Sequence, residues 1–363
     1  MQLAQLLKDL VQKQASDLHL KVKSSPIIRV GKELVKLPYP PLTASLIEGF
    51  IRELVPESKQ KSLSNKQEMD FAYTAPDIGR FRVDIFYQRG DPGLVIRRVE
   101  TTFSSFSELG LPQTLEKICA LNQGIVLICG SARSGKSTTI AAMINYINNH
   151  RKMHIITIED PIEFLFEDKM SIIDQREVGI DTESFSTALK YVMREDPDLI
   201  FLGELRDINS FQAMLKAAET GHIVFTTLHA GDAMHAVERI VDYCPMDQKD
   251  QTRMQLANYL SAVVSIKLLP GKDGAGMVPA VEMMISTGIV KKLMRENRLT
   301  KLITAIESGE EDGMQSFNKS LMKLVQDGRV SKEEALAWAP NPEVLKLNLQ
   351  GIYFDNGKKI IDS

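Results

Sequence analysis

Residues 124–144 read GIVLICGSARSGKSTTIAAMI. An uninterrupted apolar run, a loop bounded by two glycines and a following stretch of good helix formers describe a buried strand, a tight turn and a helix. A strand without polar alternation must be covered on both faces, which a parallel sheet flanked by helices provides. The loop Gly130-Ser131-Ala132-Arg133-Ser134-Gly135-Lys136-Ser137 fits the spacing G-x-x-x-x-G-K-[ST]. Glycine lets the backbone curl so that successive N–H groups converge on an anion. The helix starting near Lys136 adds its positive N-terminal end. The spacing therefore points to ATP as ligand: Lys136 reaches its β- and γ-phosphates and the Ser137 hydroxyl ligates Mg²⁺, with Thr138 next in line. Arg133 departs from the usual loop, where glycine is common. If its position required a positive φ, a non-glycine residue would cost about 1–2 kcal/mol, roughly tenfold in affinity. A guanidinium beside the phosphates would recover much of that; one turned to solvent would not.

The chain has 363 residues, more than one average domain needs and enough for two. At 44% hydrophobic and 25% charged it can bury a core. Residues 1–99 read as a small unit of strands and helices. Leu3, Leu6, Leu7, Leu10 and Val11 recur at helical spacing within residues 2–14, and a second helix fits residues 43–54. RFRVDIFYQRGDPGLVIRRVE reads as a hairpin turning at Gly90-Asp91-Pro92-Gly93. Residues 100–112, ETTFSSFSELGLP, have the Ser/Thr-rich composition of a linker. From residue 113 to 363 strands and helices alternate, with strands at 125–129, 154–158, 199–202, 223–228 and 263–269 and helices at 136–149, 182–194, 208–219 and 232–243. That order predicts a parallel α/β sheet followed by helical C-terminal segments.

Three further stretches place polar groups beside those strands. DPDLIFLGELRD delivers Glu204 at a strand's C-terminal end, where open α/β sheets carry their chemistry. Glu204 is placed either to polarise an attacking water or to pair with Arg206. Gly203 stands where ordinary P-loop ATPases often have an aspartate. HIITIEDPIEF puts Glu159, Asp160 and Glu163 past another strand, where they either hold Mg²⁺ or form a solvated acidic turn. ETGHIVFTTLHAGDA has His222 before a strand and His229 after it. The second is at the end that can sense a γ-phosphate; a structural role fits either imidazole equally.

The net charge of −3 and the lack of a basic stripe argue against a nucleic-acid partner. Three scattered cysteines without a C-x-x-C predict neither zinc ribbon nor disulfide framework. No run approaches 18 apolar residues and the N-terminus has no signal-peptide pattern, so the expectation is a cytoplasmic protein without direct membrane insertion.

Taken in order, GSARSGKSTT, IITIEDPIEF, REDPDLIFLGELRD and AAETGHIVFTTLHA resemble the secretion-type ATPase superfamily. Within it they are similar to the twitching-motility (retraction) ATPases of type IV pili, the PilT/PilU kind. The likeness extends to RFRVDIFYQRG and to MQSFNKSLMKLVQDGRVSKEEALAWAPNPEVL. It implies a PAS-like α+β N-terminal domain joined to a RecA-like P-loop core, and a homo-hexameric ring. It also implies ATP hydrolysis coupled to domain closure, at the pilus base on the inner membrane. Partners implied are an inner-membrane platform protein and a paralogous retraction ATPase; an accessory, weakly hydrolysing paralogue is the alternative identity. By the same resemblance Glu159 and Glu163 belong to an acidic box, Glu204 is the catalytic glutamate and His222 and His229 form a histidine box. Arg82 and Arg97, with Arg80 and Arg98 as alternates, match the arginines that close on the phosphates from the N-terminal domain. Ala132-Arg133 stand where the family's loop usually reads Thr-Gly, and Lys267 where a glutamine is common.

Overall fold

The computed structural model describes residues 1–31, 33–55, 68–99, 101–274 and 276–352. Glu100, in the stretch read as a linker, and residues 353–363, at the end of the expected second domain, lie outside them. The chain divides into two compact units, residues 1–101 with 161–165, and residues 102–160 with those from 166 onward.

In the first unit, helix α1 (Leu3–Gln12) turns Leu3, Leu6, Leu7 and Leu10 inward. Helix α2 (Ala44–Leu54) starts where the Thr43 side chain accepts the Leu46 N–H, and buries Ile47, Phe50, Ile51 and Leu54. Strands β1 (Asp17–Lys21), β2 (Ile27–Val30), β3 (Glu33–Lys36), β4 (Met69–Ala75), β5 (Gly79–Gln88) and β6 (Asp91–Arg98) form a sheet in the order β3-β2-β1-β6-β5-β4. All its pairings are antiparallel. The expected β5–β6 hairpin is present, but its turn is tighter than 90–93. Gln88 pairs with Asp91, leaving Arg89 and Gly90 as a two-residue turn at φ +51° and +84°, the geometry that suits strand twist. Pro92 and Gly93 lie in β6; Gly93 is there because a Cβ would come within 2.6 Å of the Phe86 ring.

The second unit is built on a seven-stranded sheet ordered β13-β12-β7-β11-β10-β8-β9. Its strands are β7 (Gly124–Cys129), β8 (His154–Glu159), β9 (Ile172–Glu177), β10 (Leu199–Leu202), β11 (Ile223–Leu228), β12 (Leu260–Pro270) and β13 (Met277–Ile285). All pairs are parallel except β12–β13. Helices α3 (Leu115–Cys119) and α4 (Lys136–His150) pack on one face. Helices α5 (Phe185–Val192), α6 (Ile208–Glu219), α7 (Ala233–Asp242), α8 (Lys249–Tyr259), α9 (Gly288–Arg295) and α10 (Leu302–Ser308) cover the other. Helices α11 (Phe317–Gln326), α12 (Lys332–Trp338) and α13 (Pro342–Leu349) make a smaller cluster around Phe317, Leu321 and Leu345. Ser184, Asp207 and Asp232 cap α5, α6 and α7 through their side chains. Phe106 and Leu111, from the Ser/Thr-rich stretch, are buried in the core under α3 and α4, and Phe103 stacks on Phe166. The α/β expectation holds, with an antiparallel edge strand added. No helix among the described residues is long and apolar enough to cross a membrane.

Candidate functional site

Four strand ends meet at one edge of the second sheet. In the order β7-β11-β10-β8, the carboxyl ends lead to Gly130, His229, Gly203-Glu204 and Glu159-Asp160 respectively. The sequence pieces that carry these residues are far apart; parallel pairing of their strands puts them side by side.

The loop after β7 is held against the backbones of β11 and β12. Gly130 N–H donates to Leu228 O at 3.3 Å, and a Cβ on Gly130 would come within 2.6 Å of Ile266 O. Gly135 precedes α4 with φ +93°. Arg133 takes φ +62° and is exposed, so the strain foreseen for a non-glycine residue is present. Ser131, Ala132 and Thr138 are also exposed, and Ser137 is half-buried. The Lys136 ammonium bends back onto the loop, donating to Gly130 O at 2.9 Å and Ser131 O at 2.8 Å. The Ser134 hydroxyl is buried without a hydrogen-bond partner. A glycine-framed loop with a buried ammonium and an unpartnered hydroxyl fits a polyphosphate.

Glu204 is flanked by a guanidinium and an imidazole. Its Oε2 accepts from Arg206 Nε at 2.7 Å, and its Oε1 is 3.3 Å from His229 Nε2. The other arm of Arg206 donates from Nη1 to Asp160 Oδ2 at 2.9 Å. The Arg206 pairing is present, and Glu204 lies at the same sheet edge as the phosphate loop. Burial, and then the nearby Lys136 charge, push the His229 imidazole below its ordinary range, against the pull of Glu204. The Lys136 charge is thus near enough to be felt at His229. Gly203 has a packing reason: a Cβ would sit 3.2 Å from Ile158 O and 3.3 Å from Glu159 Cα.

Glu159 is buried, and its Oε1 accepts from Thr157 Oγ1 at 2.7 Å and Gln175 Nε2 at 3.2 Å. It is thus built into the strand ends. Glu163 is exposed and groups with the first unit. His222 sits at the opposite end of β11, hydrogen-bonded at 3.0 Å to both Ala217 O and Thr220 Oγ1. Arg82 and Arg97 belong to the first unit, directly opposite each other on β5 and β6. Arg97 Nε donates to Asp17 Oδ1 at 2.8 Å, and Arg82 Nε to Asp70 Oδ1 at 2.9 Å. In the sheet register Arg29, Asp17, Arg97 and Arg82 line up across β2, β1, β6 and β5, a row with excess positive charge. The units taken singly therefore assemble Lys136, Glu204, His229 and Glu159 in one and the arginines in the other.

Among the described residues no cluster of three or more His, Cys, Asp or Glu side chains is arranged to hold a metal. The Ser137 hydroxyl is a hard oxygen donor beside the phosphate loop, and Mg²⁺ commonly takes one or two protein oxygens and completes its shell with phosphate and water. The donor set fits that ion.

The type II/IV secretion system protein family matches residues 2–298. The type IV pilus retraction ATPase PilT of Pseudomonas aeruginosa is 39% identical over 343 residues, covering 94% of this chain and 99% of the relative. The type IV pilus ATPase PilU of the same organism is 37% identical over 350 residues, covering 96% and 92%. A crystal structure of the pilus retraction motor PilT with bound ADP superimposes with a TM-score of 0.88 at 39% identity, covering 94% of this chain and 98% of that one.

Proposed function

Because the chain belongs to the type II/IV secretion system protein family, we propose that it is an ATP-hydrolysing motor of the kind that retracts type IV pili. One observation carries this reading: the Lys136 loop and the Glu204–His229 pair meet at a single sheet edge, 3.3 Å separating the pair. In this scheme the loop N–H groups and Lys136 take the phosphate oxygens, and Lys136 exchanges the carbonyls of Gly130 and Ser131 for them. Glu204 orients the attacking water and accepts its proton. Arg206 and His229 fix the carboxylate's direction. Bound with the triphosphate, Mg²⁺ would supply charge neutralisation at the phosphates; Ser137 would hold it, and Glu163 is the carboxylate proposed for it. Arg82 and Arg97 would reach the γ-phosphate on domain closure, leaving Asp70 and Asp17, so that hydrolysis depends on motion. His222 is kept with His229 as the histidine box.

We place the functional domains at 1–99 and 113–363 with 100–112 as the linker, whose Phe106 and Leu111 pack into the second unit's core. The motor is a homo-hexamer acting on an inner-membrane platform protein at the pilus base, from the cytoplasmic side. Relatives named as type IV pilus ATPases support the placement at a pilus.

Steady-state ATPase assays test the reading. Wild type should turn over ATP, while Lys136→Ala and Glu204→Gln should each lose on the order of 100-fold or more and keep the fold. Background-level turnover by pure wild type would sink the enzyme reading. Arg133 at φ +62° favours a second one, an accessory nucleotide-binding subunit acting beside a principal ATPase. Turnover that appears only when a paralogue is added would select it.

A further inference from the structure

A carboxylate that this scheme leaves unused is buried on β13. Glu282 is 2% exposed. Its Oε1 accepts the N–H of Ala233, the first residue of α7, at 2.9 Å. The backbone N–H of Phe317, the first residue of α11, also faces this carboxylate and favours its charged form. Two helix N-termini thus converge on one acid, and that of α7 donates an otherwise orphaned N–H to it. The charged and titratable groups facing it are Asp232 at the start of α7, Lys267 from β12 and the Cys129 thiol from β7; α11 presents its backbone N–H. Burial pushes the Glu282 carboxyl up to about 7, with Asp232 adding to the rise and Ala233, Lys267 and Phe317 opposing it. Lys267 Nζ lies 4.3 Å from the Phe317 ring centre. A buried carboxylate is costly compared with an apolar side chain of similar volume, and its contacts lead toward the site. From α7, Arg239 Nη1 donates to His229 O at 2.8 Å, and His229 faces Glu204.

We propose that Glu282 is a positioning residue for hydrolysis, fixing the start of α7 so that Arg239 holds His229 against Glu204. This rests on the ATPase reading of the site. The ionised carboxylate is the stronger acceptor for the Ala233 N–H, so protonation loosens the hold, and kcat falls as pH drops through the Glu282 titration.

Glu282→Gln keeps the size and an acceptor oxygen but cannot titrate. It should lower kcat by about tenfold with KM little changed, and should flatten the part of the acid limb near pH 7 that wild type shows. Glu282→Asp should recover part of the rate and restore the limb. Arg239→Ala should cause a similar loss, and the double variant should lose no more than the worse single one, as members of one chain do. A readout independent of hydrolysis is the His229 imidazole titration followed by NMR: Glu282→Gln and Arg239→Ala should both shift it. An unchanged His229 titration in both variants, or a Glu282→Gln enzyme with the wild-type rate and pH profile, overturns the role. Should Glu282→Gln not fold, an Arg239→Ala protein with unaltered His229 titration and rate overturns it alone. If wild type is inactive, the enzyme reading fails while the NMR titration still decides the positioning.

Discussion

Arg133 is the residue where sequence and geometry disagree most sharply with custom. Its φ of +62° costs an L-residue about 1–2 kcal/mol. Arg133→Gly should therefore raise stability without nucleotide by about 1 kcal/mol, read by denaturant unfolding. ADP affinity should change by less than tenfold; an unchanged or lower stability would show that the loop carries no such strain. Arg97 and Arg82 look equivalent in the sequence but differ in what they hold. Asp17 has 7% of its side chain exposed and Asp70 has 45%. Arg97→Ala strips the better-buried acid of its 2.8 Å partner and should destabilise by about 1–3 kcal/mol, whereas Arg82→Ala should stay within about 0.5 kcal/mol. Any hydrolysis defect in Arg97→Ala must be read after urea unfolding has measured that loss. Asp17 also titrates low: burial raises it, but the Ser16 hydroxyl and Arg97 more than offset burial. Its contribution to stability is present above the ordinary aspartate range and is lost as pH falls through the lowered value.

At the scale of elements, α7 links a distant strand to the site. Its N-terminus is held from β13, and its Arg239 holds the end of β11. The Glu282 pKa, raised from 4.5 to about 7, fixes the sign of a stability test. The folded state binds the proton more tightly than the unfolded one, so the contribution is full below about 4.5 and is lost as pH rises through about 7. Relative to wild type, Glu282→Gln should therefore gain stability between pH 5 and 8, measured by parallel denaturation curves; a constant difference across that window would contradict the buried carboxylate. Some elements carry little periodic signal of their own. Strand β9, IIDQRE, is a half-polar edge, and α8, KDQTRMQLANY, has Thr252, Leu256 and Ala257 as its buried residues. Tertiary contact, more than amphipathic patterning, defines them. The expected helix 182–194 shortens to Phe185–Val192 because Ser184 caps it from outside.

For the molecule as a whole, the proposed motor requires assembly. With Mg-ATP the protein should run as a particle of six 40.6 kDa chains by native mass measurement or light scattering; a monomer at saturating nucleotide would remove the ring from the mechanism. The two units have separate hydrophobic cores, one around Leu18, Phe81 and Ile96 and the others on either face of the seven-stranded sheet. Separate cores are what the proposed motor with moving lobes requires.

The sequence alone determined the strand–loop–helix around Lys136, because eight adjacent residues specify its glycines, ammonium and hydroxyl. It also determined the helical faces of α1 and α7, because burial follows a 3.6-residue period. Only the tertiary structure decided that Arg206 spans Glu204 and Asp160, the latter 46 positions away. It alone joined Glu282 to Ala233 across 49 positions and Arg97 to Asp17 across 80. Periodicity states which face of an element is buried but not what covers it. A charge in the sequence looks the same whether water or another chain segment solvates it, and strand order and packing make that choice.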